Sequence, residues 1–156
     1  DAQPDDHEFL AHGNEAMALE TEHKRLDPLT IRRGVTAVLE NSAHGRYFVA
    51  EDETGRPVGQ LMVTYEWSDW RNGQFWWIQS VYVHPAARRG GVFRALYDHV
   101  DTLSRCTPGV VGLRLYVELD NAAAQRTYER CGMRDGGYRV MEVDNSGAIQ
   151  GADEGE

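Results

Sequence analysis

Apolar residues recur at every third or fourth position in four stretches of the chain, the spacing of an amphipathic helix. The predicted helices are one that begins near Asp5 and Asp6, one that begins at Asp27-Pro28, and residues 91–105 and 121–131. Aspartate is a favoured helix cap and proline fits the first helical turn, so the second start is the best marked. Residues 41–45 end that helix.

Five stretches instead have the composition and period of strands. They are residues 47–50, 58–65, 74–83, 110–117 and 138–143. The first three follow one another through short turns and predict an antiparallel meander. Residues 74–83 are apolar on both faces, which predicts a central strand, and the helix that follows implies a parallel pair with residues 110–117. The expected fold is therefore a three-layer α/β structure on one mixed, mostly antiparallel sheet.

Composition narrows the class of protein. The chain has 156 residues and a formal charge of −9, which predicts one domain and argues against binding duplex nucleic acid. No apolar run approaches the roughly 20 residues that span a bilayer, so no membrane role is expected. The two cysteines, Cys106 and Cys131, belong to no metal or disulfide pattern. We expect a cytoplasmic protein without metal, with a domain over 1–143 and a disordered acidic tail over 144–156.

A glycine-containing loop follows the predicted central strand. The sequence runs Val81-Tyr82-Val83-His84-Pro85-Ala86-Ala87-Arg88-Arg89-Gly90-Gly91-Val92-Phe93 and then enters a helix. Glycine allows close approach of a ligand, and the first N–H groups of a helix bind anions. The pattern predicts an anion site, although solvated arginines at an ordinary helix start would look the same.

A second stretch, from Leu115 to Met133, strengthens that interpretation. Together the two stretches resemble the GNAT family of acyl-CoA-dependent N-acetyltransferases. The family's cofactor signature, Q/R-x-x-G-x-G/A, falls on Arg88, Gly91 and Phe93, and its second signature, N-x-x-A-x-x-x-Y-x-x-x-G-F, falls on residues of 121–133. Phe93 departs from the expected Gly or Ala, and the family's first strand, which precedes the first helix, is missing or truncated here.

The resemblance implies acetyl-CoA as the cosubstrate and assigns residues to it. The expected cofactor-binding residues are Val81, Tyr82, Val83, Arg88, Arg89, Gly90, Gly91, Val92, Phe93, Asn121 and Tyr128. The backbone of 81–83 would pair with the pantetheine chain, and residues 88–93 would bind the pyrophosphate. Tyr128 is the expected catalytic residue, as the acid that protonates the leaving thiolate. As alternatives, Tyr128 is a core residue and Asn121 an ordinary helix cap.

The acceptor and its base are less determined. A small-molecule primary amine is the expected substrate, with peptide acetylation or a non-catalytic acyl-CoA-binding module as alternatives. A base could be Glu66, Asp69 or Glu118, each usually solvated at such positions, and a water chain is the default. Trp67 and Trp70 could hold an ammonium by cation–π contact. A homodimer is expected, since the missing first strand would leave an open sheet edge near 46–51.

Overall fold

The computed structural model describes residues 1–145 and the backbone of 149–151. These residues form four helices and six strands, and two short 3₁₀ turns cover Pro4–Asp6 and Pro85–Ala87. In chain order the elements are α1 (His7–Glu22), β1 (Lys24–Leu26), α2 (Pro28–Glu40), β2 (Arg46–Glu51), β3 (Pro57–Ser68), β4 (Gly73–Val83), α3 (Val92–Cys106), β5 (Val110–Leu115), α4 (Ala122–Arg130) and β6 (Ile149–Gly151).

The main sheet has the strand order β2-β3-β4-β5. The first three strands are an antiparallel meander, and β4 pairs with β5 in parallel through the α3 crossover. This confirms the predicted mixed, mostly antiparallel sheet. β2 is an edge strand whose Tyr47 carbonyl accepts a hydrogen bond from Ala2 N at 2.8 Å, and in the described residues no strand precedes α1.

Helices cover both faces of the sheet because the strands alternate their side chains between two cores. Phe48 faces the core formed with Leu96 and Val100 of α3. Its neighbour Tyr47 faces the other core, formed with Leu10 of α1 and Val35 of α2. The predicted three layers are therefore present.

Of the two aspartate caps expected at the starts of α1 and α2, only the one at α2 is present. The Asp27 carboxylate accepts a hydrogen bond from Thr30 N at 2.8 Å and caps α2 as predicted. The Asp6 carboxylate instead accepts from Gln3 N at 2.7 Å, inside the preceding turn, so its side chain does not cap α1. None of the helices in the described part of the chain is long and apolar enough to span a membrane.

The C-terminal part departs from prediction. Residues 138–143, predicted as the last strand, have no regular secondary structure and are exposed. A short antiparallel pair forms instead between β1, which the sequence did not reveal, and β6. Within the tail predicted over 144–156, Ile149–Gly151 forms β6, and residues 146–148 and 152–156 lie outside the described residues.

Candidate active site at the open end of β4

One half of β4 has a free edge. From Gly73 to Ile78 it pairs with β3 on one side and with β5 on the other. Beyond Ile78 only the β3 pairing continues, because β5 ends at Leu115 opposite Ile78. A bulge in β4, where Gln79 and Ser80 together face the single residue Met62, bends the strand at this point. Residues 79–83 therefore present an unpaired backbone edge.

The direction of that edge follows from one hydrogen bond. His84 N donates to Val58 O of the neighbouring chain segment at 2.9 Å, so residue 84 points toward β3. Backbone N–H and carbonyl groups alternate sides along a strand. Those of Tyr82 therefore also point toward β3, while those of Val81 and Val83 point to the open side. Val83 O indeed accepts from the Arg88 side chain at 2.9 Å and not from β3. The Val81 N–H and carbonyl are therefore directed into the open side.

The glycine-containing loop closes this edge. Arg89 and Gly91 take left-handed backbone conformations, with φ of 65° and 83°, and α3 begins directly after Gly91. The first intrahelical bond runs from Ala95 N to Gly91 O at 2.9 Å, so the N–H groups of Val92, Phe93 and Arg94 precede it. These donors, together with Arg89 and the exposed Gly90, lie in the turn that the sequence predicts to bind an anion.

Two adjoining cavities, of about 350 and 370 Å³, occupy the open side. Both are lined by Met17, Thr21, Val81, Ala124 and Tyr128. The first, which we call the loop cavity, extends to Glu20, Tyr82, Val83, Arg88, Phe93 and Thr127. The second, which we call the strand-end cavity, extends to Glu22, Ile78, Gln79, Ser80, Leu115, Tyr116, Val117, Glu118 and Asn121. Each is large enough for part of a small ligand.

Tyr128 lies between the two cavities. Its ring packs edge-on against Phe93, with ring centroids 5.7 Å apart. Burial, with a smaller contribution from Cys131, raises the pKa of the Tyr128 phenol above its ordinary value of 10.0. The phenol is therefore protonated at neutral pH, and Tyr128 lines both cavities. Phe93, the departure from the family signature, acts here as the support of the Tyr128 ring.

Asn121 begins α4 and caps it, since its Oδ1 accepts from Ala124 N at 3.0 Å. The helix-cap alternative is therefore true of Asn121, and its side chain also lines the strand-end cavity. Asn121, Ala124 and Tyr128 share one face of α4, as their spacing predicts.

The candidate bases separate into two groups. Glu66 lies inside β3 and not in a turn, and its carboxylate binds Arg114 Nη1 at 2.7 Å and the Trp77 indole N–H. Asp69 accepts from Trp70 N at 2.8 Å, in a turn at the far end of β4. Only Glu118 lines a cavity. Because both carboxylate oxygens of Glu66 already accept hydrogen bonds, Glu66 is not available as a base.

The aromatic residues proposed for an ammonium lie elsewhere. Trp67 and Trp70 are exposed and line neither cavity. Trp67 lies at the end of β3 opposite Gln74, and Trp70 lies in the turn that follows, so both are seven or more residues from Val81 along β4, roughly 23 Å of strand. A cation–π contact of these two rings with an ammonium, as the sequence suggests, would therefore lie outside both cavities. His84 caps the following 3₁₀ turn by accepting from Ala86 N at 3.3 Å.

Sequence reasoning missed the contribution of α1. Met17, Glu20 and Thr21 lie one turn apart on its last turns and cover the cleft. Glu20 Oε2 accepts from Arg88 Nη2 at 2.6 Å, so α1 is tied to the loop by an ion pair. Their helical spacing shows a shared face, but nothing local in the sequence indicates that this face lies over β4.

Across the residues that the structure covers, no cluster of three His, Cys, Asp or Glu is arranged to hold a metal.

The parallel β4–β5 pair, which ends while β4 continues and has a glycine turn and a helix N-terminus at its open end, fits the arrangement that the resemblance to acetyltransferases implies. Sequence comparison agrees: the profile of the acetyltransferase (GNAT) family matches residues 13–133. The chain belongs to this family. Among proteins with curated functions, none matches it.

Solved structures show the same fold. A possible acetyltransferase from Clostridium difficile 630 is 42% identical, with 92% of this chain and 93% of that chain covered and a TM-score of 0.85. A probable acetyltransferase at 24% identity has a TM-score of 0.80, with 93% and 95% covered. An acetyltransferase from Trypanosoma brucei at 23% identity, with 88% and 94% covered, has a TM-score of 0.64. The last two show the fold alone.

Proposed function

We propose that this chain is an N-acetyltransferase that moves an acetyl group from acetyl-CoA to the primary amine of a small molecule. The observation that carries the proposal is the open edge of β4, which runs from the glycine-containing loop to a protonated Tyr128 between two cavities. The bound cosubstrate supplies an activated thioester. The chain has to bind and orient this cosubstrate and to protonate the leaving thiolate.

Binding follows from the groups on the open side. Val81 and Val83 offer backbone hydrogen bonds to an extended amide chain, in the manner of an added strand. Residues 89–94 supply N–H donors and positive charge for a diphosphate. These features support the binding of a pantetheine diphosphate with its sulfur end toward Tyr128.

The chemistry then needs no enzyme nucleophile. The neutral amine attacks the thioester carbonyl, the new C–N bond forms as the C–S bond breaks, and the amine proton leaves to water or to a carboxylate. The Val81 N–H stabilises the developing oxyanion, and the Tyr128 hydroxyl gives its proton to the thiolate. The Tyr128 phenoxide then takes a proton from solvent, which restores the phenol for the next turnover.

The strand-end cavity fits the acceptor. It carries two carboxylates, Glu22 and Glu118, beside the polar groups of Gln79 and Ser80. Its volume of about 370 Å³ suits a small amine. Glu118 is the carboxylate that we propose to receive the amine proton, directly or through water.

We also propose that the protein works in the cytoplasm as a homodimer. Its two cysteines are free thiols, which suits a reducing compartment. Fractionation of the source cells tests the location, and light scattering tests the dimer.

The experiment for the activity has two arms. A thermal-shift measurement compares acetyl-CoA with ATP, and a thiol-release assay follows acetyl-CoA with a panel of amines and a peptide. We expect stabilisation by acetyl-CoA alone and thiol release with small amines. Binding without turnover on any amine would instead indicate an acyl-CoA-binding module, and turnover on the peptide alone would indicate a protein acetyltransferase.

A further inference from the structure

Two aromatic side chains, Trp77 and Tyr116, form a surface beside the strand-end cavity that the reaction described above does not use. Tyr116 lines the cavity, and its ring centroid lies 4.5 Å from that of Trp77, with an angle of 40° between the ring planes. Tyr116 is 52% exposed, so Trp77 covers only part of it. The exposed part of the Tyr116 ring can therefore contact a ligand that extends along the cavity wall.

The strand register explains why these two rings meet. Trp77 of β4 lies opposite Arg114 of β5. Side chains alternate between the two faces of a sheet, so Tyr116, two residues after Arg114, lies on the face of Trp77. The intervening pair, Ile78 and Leu115, packs into the α3 core on the other face. The aromatic surface therefore lies on the face of the sheet opposite α3.

Trp77 is a fixed support for Tyr116. Its indole N–H donates to the Glu66 carboxylate, which also accepts from Arg114 Nη1 at 2.7 Å. The Arg114 guanidinium lies 5.9 Å from the centroid of the Trp77 ring. A ligand that packs on Tyr116 therefore meets a surface that is already ordered, and this lowers the entropic cost of binding.

The polar groups around the aromatic surface decide which kind of ring suits it. Glu66 and Arg114 bind each other, and the Gln79 amide donates to Thr64 Oγ1 at 2.9 Å. A sugar would bring several hydroxyl groups, and removing these from water costs free energy unless each finds a partner. A flat apolar ring has no such requirement and gains from packing against an aromatic side chain. The surface therefore favours an aromatic ring over a sugar.

We propose that the acceptor is a primary amine that carries an aromatic ring on a short alkyl chain, and that this ring packs on Tyr116. The inference rests on the N-acetyltransferase activity proposed above and names the class of its substrate. The ammonium enters the strand-end cavity beside Glu118, whose carboxylate attracts the cation. Acetyl transfer then gives the acetamide of this amine and the CoA thiol, with the proton transfers described above. Tyr116 thus determines the specificity for the acceptor.

Thiol-release kinetics with a matched pair of amines test the proposal. 2-Phenylethylamine and 2-cyclohexylethylamine share a carbon skeleton and differ in whether the ring is flat and aromatic. We expect kcat/KM of the parent to be about 2- to 10-fold higher for the phenyl compound, because an aromatic pair adds this much to simple burial. The difference should lie mainly in KM. Glucosamine should be the poorest of the three amines.

Variants of Tyr116 connect this preference to one side chain. Tyr116→Leu keeps an apolar side chain without the ring and should remove the preference, whereas Tyr116→Phe keeps the ring and should retain it. Trp70→Leu is the control and should also retain it, because Trp70 is 88% exposed and lines neither cavity. An acetyl-CoA thermal shift equal to that of the parent shows that each variant is folded and binds the cosubstrate.

The outcomes separate this inference from the function on which it rests. Equal kcat/KM for the two ring amines, a preference for glucosamine, or a preference that survives in Tyr116→Leu overturns the inference and leaves acetyl transfer standing. Absence of thiol release with every amine overturns both. If Tyr116→Leu does not fold, calorimetry of the two ring amines with the parent–CoA complex makes the same comparison, and equal affinities overturn the inference.

Discussion

The two halves of β4 share a strand and differ in almost everything else. From Gly73 to Ile78 the strand is paired on both sides and its side chains are tied together, with the Arg114 guanidinium 3.8 Å from the Phe75 ring and Trp77 stacked near Tyr116. From 79 to 83 it is paired on one side only and faces two cavities. Cross-strand contacts are concentrated in the first half, and the backbone groups without a partner strand lie in the second half.

The difference shows which part of the sheet can bind a ligand. The closed half has the more conspicuous sequence, with aromatic residues and acids close together, but its Glu66, Trp77 and Arg114 satisfy one another. The open half contains Val81 and Val83, whose backbone groups, and not their side chains, are the ones that a ligand can bind. A ligand can add hydrogen bonds only where the ladder leaves them free.

The largest expected effect comes from Gly91→Asp, which should abolish acetyl-CoA binding. Saturating ligand at ~100 times its dissociation constant adds about 2.7 kcal/mol, or roughly 5–10 °C in melting temperature, to the parent. An aspartate at φ 83° brings negative charge to the anion turn. Gly109→Asp is the matched control at the closed half, since Gly109 has φ 82° and similarly open surroundings. Equal loss of the thermal shift in both variants would contradict the assignment.

Tyr128→Phe should lower turnover by at least ~10-fold, because a general acid contributes about 10²–10⁴-fold. Affinity for acetyl-CoA should change little, since the ring and its contact with Phe93 remain. Steady-state kinetics and calorimetry measure the two quantities. Tyr65→Phe, which keeps the ring contact with Trp76 at the closed half, should behave like the parent. A Tyr128→Phe enzyme with parental turnover would make Tyr128 a packing residue.

Glu20→Gln should tighten acetyl-CoA binding by about 2- to 5-fold. The Glu20 carboxylate now binds Arg88, so an incoming diphosphate must compete with it, and exposed ion pairs of this kind contribute about 0.2–1 kcal/mol. Glu22→Gln is the control: Glu22 pairs with Lys24 at 2.9 Å and lies outside the loop cavity. Weaker binding in Glu20→Gln would show that the ion pair positions Arg88 and does not compete.

The smallest effect concerns pH. Burial raises the pKa of Tyr128 above 10.0 in the folded state, so its neutral form stabilises the fold below the unfolded pKa. That contribution is lost as the pH rises through the folded-state pKa. The difference in unfolding free energy between parent and Tyr128→Phe should therefore change only above a pH of about 10. Turnover should rise toward the acceptor's own pKa without an earlier fall caused by Tyr128.

Sequence was informative wherever the site is built from neighbours along the chain. The turn of Arg89 and Gly91 and the shared face of Asn121, Ala124 and Tyr128 are local geometry, so spacing predicted both. The sheet order followed from turns and one crossover, which are also local.

What depended on long-range packing was not predictable. The ion pair of Glu20 with Arg88 joins residues 68 positions apart. Glu66 looked like a free acid because Arg114, 48 residues away, gives no local signal. Residues 138–143 show the converse: their pattern is that of a strand, but a strand also needs a pairing partner, and in the structure these residues have no regular secondary structure.

Amide hydrogen exchange with and without CoA tests the central claim most directly, since it reports each half of β4 separately. We predict that saturating CoA slows exchange at residues 81–83 and 89–94 and leaves residues 74–78 unchanged. Unchanged exchange across 81–94, or protection confined to 66–78, would contradict the assignment of the open half of β4 as the cofactor site.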